Sequence, residues 1–132
     1  MKIIEVHTPA KEAFVDLTQH IRTTVIESGV ESGMCHIYIP HTTAAVTINE
    51  NADPAVVNDI LTALRNLVPD SLLYTHKEGN SPAHCKASLI GFSAWIPIAD
   101  GKPVLGTWQG IFFCEFDGPR KRKAVIQVIS SS

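Results

Sequence analysis

The sequence has no apolar run approaching the roughly 20 residues that a membrane-spanning helix needs, so no membrane partner is expected. It also lacks a basic excess. Eleven Lys and Arg against 13 Asp and Glu leave a formal net charge of −2, whereas a dedicated nucleic-acid binder carries a clustered positive surplus; no nucleic-acid partner is expected either. Cysteine is scarce. Cys35, Cys85 and Cys114 are odd in number, far apart and without a Cys-x-x-Cys pair, which excludes a disulfide framework and fits free, buried thiols in a cytoplasmic protein. Met1 to Val6 has no signal-peptide apolar core and reads as a strand. Linkers, repeats and low-complexity stretches are missing. What is present, 132 residues at 45% hydrophobic and 18% charged, suits one domain over 1–132 with a real core.

Local patterning divides the chain into elements. Lys2 to Val6 reads as an edge strand. Thr8 is set to cap a helix beginning at Pro9, with Ala10, Ala13, Phe14, Leu17, Ile21 and Val25 at helical spacing and Ser28-Gly29 as its stop. Met34 to Ile39 alternates, and alternation resumes over Ala44 to Asn49. Asp53-Pro54 is a strong start for a second helix, carrying Val57, Ile60, Leu61, Leu64 and Leu67 until Pro69. Residues 69–83 form a long connection rich in Pro, Gly, Asn and Ser, a length that often serves function. Strands follow at Ala94–Ile98, Pro103–Leu105, Gln109–Phe116 and Ala124–Ile129, with Asp100-Gly101 as a hairpin turn. Several strands with two main helices predict an α+β fold and a largely antiparallel β-sheet in a compact single domain.

Chemistry concentrates in a few places. The stretch from His41 to Pro54 threads one histidine, three threonines, two asparagines and two carboxylates through apolar residues. Buried polar groups need partners, so this density suits a ligand, a metal or a subunit interface as well as a capped polar loop. His41 ends a strand, while His76 and His84 flank the long connection. Three imidazoles with an open position would suit a catalytic metal, but no spacing here matches a short metal motif, which leaves scattered loop histidines as the stronger reading of spacing alone. His7, His20 and His36 stand outside any polar cluster and read as structural.

The strand from Gln109 to Phe116 is apolar on both faces, which calls for cover on both sides. In so small a domain the second cover is expected from another subunit. Glu115 is then a carboxylate in an apolar strand, in need of a cation, a metal or a raised pKa. It serves a histidine site, or it pairs with Arg120 or Arg122 to hold the turn. Arg120 to Lys123 places four cations after Asp117-Gly118-Pro119, either to meet phosphate oxygens or as a solvated charge run. Lys86 and Ser88 likewise serve an anion or begin a short helix.

Taken together, His41 to Pro54, Glu78-Gly79-Asn80, Ala83 to Leu89, Leu105 to Ile111 and Glu115 to Arg120 resemble the signature of the YjbQ-like family, also called the secondary thiamine-phosphate synthase family. The resemblance covers nearly the whole chain. It implies a homotrimer with polar motifs near the subunit boundaries, and a weak activity joining a pyrimidine pyrophosphate to a thiazole phosphate. By the same resemblance, His41, His76 and His84 form the metal or proton-transfer set, with a divalent ion such as zinc or magnesium as cofactor. It assigns His41, His84, Lys86 and Glu115 to catalysis, and Asn49, Asn51, Asp53, Ser88, Trp108, Gln109 and Arg120 to binding a small phosphorylated metabolite. Glu50 belongs to the same polar run. A barrel-type synthase would carry βα repeats, which are absent here, so such an activity needs other machinery. A metal-dependent hydrolase of a phosphorylated metabolite and a non-catalytic small-molecule binder are the alternatives.

Overall fold

The computed structural model describes residues 1–131. Eight strands and three helices run in the order β1 (Lys2–His7), β2 (Ala13–Asp16), α1 (Thr18–Ser28), β3 (Gly33–Tyr38), β4 (Ala44–Glu50), α2 (Pro54–Leu67), α3 (Ser81–Ile90), β5 (Ser93–Ala99), β6 (Lys102–Pro103), β7 (Gln109–Glu115) and β8 (Lys121–Ser130). They form a five-stranded sheet, β1-β8-β3-β5-β6, and a three-stranded sheet, β2-β7-β4. Every pairing is antiparallel. The α+β class and antiparallel character expected from the sequence hold, with three helices rather than two. No helix among the described residues is long and apolar enough to cross a membrane.

Two cores follow from strand alternation. Successive strand residues face opposite sides, so Ile111 and Phe113 of β7 join Ala44 and Val46 of β4 in the main core. That core also takes Cys35 and Ile37 of β3, Ala124 and Ile126 of β8, and Ile21 and Val25 of α1. Phe112 and Cys114 point the other way, with Ala45 and Phe116, against Leu61 and Leu64 of α2 and Ala83 and Ala87 of α3. Both faces of β7 are therefore covered within one chain. The expectation that another subunit covers this strand is corrected: α2 and α3 do so, and β7 has no free face to offer an interface.

Three local readings also change. The first helix begins at Thr18, not beside Pro9. Ala13 to Asp16 pairs with β7 as a strand, because Phe14 packs in the second core and Val15 against the first, a period of two that the helical spacing also admits. The Asp16 carboxylate then accepts from the Thr18 amide at 2.9 Å and its hydroxyl at 2.5 Å, starting α1. The long connection ends earlier than expected, since α3 starts at Ser81 and buries Pro82, Ala83, Lys86 and Ala87 as one helical stripe. Beyond Arg120 the basic run lies inside β8, whose alternation buries Arg122 and exposes Lys121 and Lys123. Cys35 and Cys114 are buried free thiols, while Cys85 is exposed; burial pushes the Cys35 thiol up to about 11 and raises Cys114 as well. By contrast, Asp100 and Gly101 both take positive φ, 52° and 72°, as a type I′ hairpin turn requires.

Candidate functional site

The site is built on the end of the three-stranded sheet where Ala44 of β4 and Ala13 of β2 pair with Glu115 of β7. Glu115 is fully buried. Arg122, itself 3% exposed, clasps it through Nε to Oε1 at 2.8 Å and Nη2 to Oε2 at 2.5 Å. Thr8 donates its hydroxyl to Oε1 at 2.7 Å, and the Asp117 amide donates to Oε2 at 3.1 Å. Burial works to raise the Glu115 pKa. The Arg122, Thr8 and Asp117 bonds together outweigh it and hold the carboxyl below its ordinary value. Arg122 Nη2 also donates to the Thr43 hydroxyl at 2.8 Å, tying β8 to the segment before β4.

Arg122 of this buried pair lines a cleft of about 480 Å³. Its walls are Pro40 to Thr43, His76, Glu78, Asn80, His84, Asp117, Arg120 and Arg122. His41, His76 and His84, separated by more than 40 residues in sequence, thus share one cavity. His76 and His84 meet edge-to-face with ring centroids 5.2 Å apart. His41 Nε2 accepts a hydrogen bond from the Lys123 backbone amide at 2.9 Å. Burial first, then Arg122 and Arg120, push the His41 pKa below its ordinary value against the pull of Glu115. The amide bond on the Nε2 lone pair reinforces the neutral ring. Arg120 is braced by Asp117, giving Nε to the backbone oxygen at 2.9 Å and Nη2 to Oδ2 at 3.0 Å.

A second cavity, of about 210 Å³, adjoins the cleft and shares Glu78, Asn80 and Asp117 with it. Lys86 lines it, buried, with its ammonium on Glu12 at 2.8 Å. Glu12 also takes Arg65 at 2.7 Å. Burial opposes ionisation of Glu12, but Lys86 and Arg65 prevail and its pKa is lowered. On the shared wall Asn80 donates to Asp117 Oδ2 at 3.0 Å, while its own buried Oδ1 has no partner among the described residues. That oxygen is an acceptor available to a ligand donor.

A family model for the UPF0047, YjbQ-like proteins matches residues 2–131. The chain belongs to the YjbQ-like family. A UPF0047 protein of Methanocaldococcus jannaschii is 54% identical over 125 residues, covering 95% of this chain and 91% of its own. UPF0047 protein YugU of Bacillus subtilis is 43% identical over 130 residues, 98% of each. The crystal structure of a YjbQ/UPF0047 family protein from Clostridium acetobutylicum superposes with a TM-score of 0.96 at 50% identity, over 98% of this chain and 100% of that one. A Sulfolobus solfataricus structure, described as of unknown function, gives 0.94 at 34% identity, over 98% and 96%.

Within this YjbQ-like chain the residues expected at the site divide into separate groups. His41, His76, His84 and Arg120 line the cleft, and Glu115 lies beneath it through Arg122. Lys86 lines the second cavity instead. Ser88 is exposed on the outer surface of α3, beside His84, Cys85 and Leu89. Asn49, Asn51, Asp53, Trp108 and Gln109 sit at the opposite end of the sheet. Glu50 pairs with Gln109 there, six residues from the Ala44–Glu115 pair, or about 20 Å along the strands. Each has local work: Asp53 Oδ1 accepts from the Ala55 amide at 2.9 Å as the α2 cap, Gln109 Oε1 accepts from the Gly106 amide at 2.8 Å, and Asn49 Oδ1 accepts from Glu50 at 2.7 Å. One small metabolite does not reach both ends of a single chain.

The shared three-histidine ion also needs correction. Among the described residues no three His, Cys, Asp or Glu side chains are gathered as a metal ion requires. His41 Nε2 is already bonded to the Lys123 amide, so the cleft joins the histidines without making them a ligand set. Thr43, Glu78, Asn80, Asp117 and Glu12 are site residues to which the sequence reading gave no individual role, and Arg122 was read only as a candidate partner for Glu115. For Arg122 the signal was there: alternation through Lys121-Arg122-Lys123-Ala124 turns one cation inward.

Proposed function

We propose that this protein is a transferase-like enzyme that binds a small phosphorylated metabolite in the histidine–arginine cleft and joins it to a second molecule held next door. The observation that carries the reading is the pair of adjoining cavities divided by Asn80 and Asp117, one lined by three histidines and Arg120, the other by Lys86. A two-substrate reaction needs two neighbouring compartments; a simple phosphate-ester hydrolase needs one and a water.

The reaction that the family resemblance implies fits this layout. A pyrimidine methylene loses pyrophosphate, whose oxygen leaves with the bonding pair, and the thiazole nitrogen donates its lone pair to the same carbon. No net proton transfer is required at carbon or nitrogen. The protein must stabilise charge on the departing oxygens and exclude water. Arg120 is the cation on the cleft wall suited to those oxygens, and the His76–His84 pair is suited to protonate the leaving group. The divalent ion implied by the resemblance does not fit the present arrangement of donors, so no step is routed through one. We also propose a homotrimer, on the resemblance together with the apolar outer face of the five-stranded sheet discussed below.

The test is incubation with a pyrimidine pyrophosphate and a thiazole phosphate, each alone and both together, followed by mass spectrometry. Coupled product from the pair, absent with His84→Ala, is the expected result. Pyrophosphate or phosphate released from one substrate alone would overturn the transferase reading in favour of a hydrolase. Binding without turnover would leave a binder.

A further inference from the structure

We propose that His41 is a fixed neutral hydrogen-bond donor that holds an anionic ligand oxygen through Nδ1–H, rather than a metal ligand or general base. The geometry is the Lys123 amide bonded to His41 Nε2 at 2.9 Å. A backbone amide only donates, so Nε2 accepts with its lone pair and carries no proton. In a neutral imidazole the proton then sits on Nδ1. The lone pair that would bind a metal or remove a proton is spent on β8. Nδ1–H is the polar group of the ring left to a ligand, with no hydrogen bond to it among the described residues beside the Nε2 bond to Lys123. His41 lines the cleft, while Lys123 does not, so the scaffold takes up Nε2 and leaves Nδ1 as the ring nitrogen available to a cleft ligand.

The surroundings sustain this state. Phe113 lies edge-on to the ring at 6.4 Å between centroids. Arg122 and Arg120 face it from β8 and its preceding turn, and Glu115 from β7. The two arginines disfavour a positive charge on the ring; each is itself held by a carboxylate, Arg122 by Glu115 and Arg120 by Asp117, and Glu78 also lines the cleft. A preset neutral donor also needs no reorganisation as negative charge develops on a leaving oxygen. The ligand oxygen such a donor would hold is taken to be that of a phosphoryl or pyrophosphoryl group, which rests on the cleft reading above.

Side-chain length separates the two nitrogens. Asn carries its amide on Cγ, where Nδ1 sits, while Gln reaches as far as Nε2. Calorimetric titration with inorganic pyrophosphate is run on the unaltered protein, His41→Asn and His41→Gln, with circular dichroism to verify folding. Expected is near-native affinity for the Asn variant and about 10-fold weaker binding for the Gln variant, the scale of one hydrogen bond to a charged group. In parallel, long-range ¹⁵N NMR of the unaltered protein reads the tautomer directly, so a variant that fails to fold does not remove the test. A protonated Nε2, or a Gln variant that binds as well as Asn, overturns the role of His41. Absence of pyrophosphate binding by the unaltered protein with the expected tautomer overturns the phosphoryl reading of the cleft instead.

Discussion

Glu115 has no hydrogen bond to an imidazole. Its four partners are two nitrogens of Arg122, the Thr8 hydroxyl and the Asp117 amide, so of its two sequence readings the pairing with a nearby arginine is the one observed. Removing one side of a buried ion pair strands the other charge, and Glu115→Gln should cost about 3–5 kcal/mol of stability, measured by urea denaturation. Retained stability with lost turnover would instead make the carboxylate a participant in the reaction. The pH dependence has a definite sign. Glu115 and Glu12 have lowered folded pKa values, so their contribution is complete above the ordinary carboxylate value near 4.5 and is lost as pH falls through the lower folded values. The His41 imidazole is also lowered; its contribution is complete above about 6.5 and declines as the unfolded chain takes up protons more readily than the native one. Denaturation midpoints should therefore begin to fall below about pH 6.5 and fall further below about 4.5. A midpoint rising as the solution is acidified over this span would contradict the assignments.

At the scale of elements, the β7–β8 turn aims the buried pair. Gly118 donates its amide to Lys11 O at 3.0 Å, and a Cβ there would stand 2.5 Å from Ala10 O and 2.9 Å from Thr8 Oγ1. Gly118→Ala must displace backbone as well as the Thr8–Glu115 bond, an overpacking cost of about 1–3 kcal/mol that thermal melts should detect. At the far end of the same sheet, Asp53→Ala should remove the α2 cap and cost about 1 kcal/mol while leaving pyrophosphate affinity unchanged; weakened binding would return Asp53 to the ligand. These elements differ in how far the sequence exposed them. α2, the 100–101 hairpin and the two faces of β7 were legible because caps, positive-φ turn residues and alternation are local signals. β2 was not, since Ala13, Phe14 and Leu17 satisfy a helical period and only the two cores on either side of Phe14 and Val15 decide for a strand. α3 was obscured by small residues and a buried lysine, Lys86, whose partner Glu12 is 74 positions away. For the site, spacing left the histidines scattered and only the family resemblance grouped them, and Asn49 to Asp53 and Trp108–Gln109 were not separable from them until register put about 20 Å between them.

For the whole molecule, both faces of β7 are enclosed, while the outer face of the five-stranded sheet carries exposed apolar side chains. Strand alternation turns Cys35 and Ile37 inward, and so turns Met34, His36 and Tyr38 outward. Trp95 pairs with His36 and stacks on its ring at 4.3 Å, and Ile129 pairs with Met34. Ile3 is carried beside Val125, which itself neighbours Tyr38. Trp95 and Ile3 remain 53% and 54% exposed, part of a patch on the four neighbouring strands β1, β8, β3 and β5 rather than isolated apolar residues. Monomeric surfaces rarely tolerate such continuity, and further copies of this chain are the occupant that the family resemblance names. Light scattering should therefore report three copies at micromolar concentration. Trp95→Lys, which charges the centre of the patch without touching either core, should yield a folded monomer with an unchanged circular dichroism spectrum. A trimer that persists with Lys at position 95 would move the interface to another surface, and a monomeric unaltered protein would remove the assembly altogether.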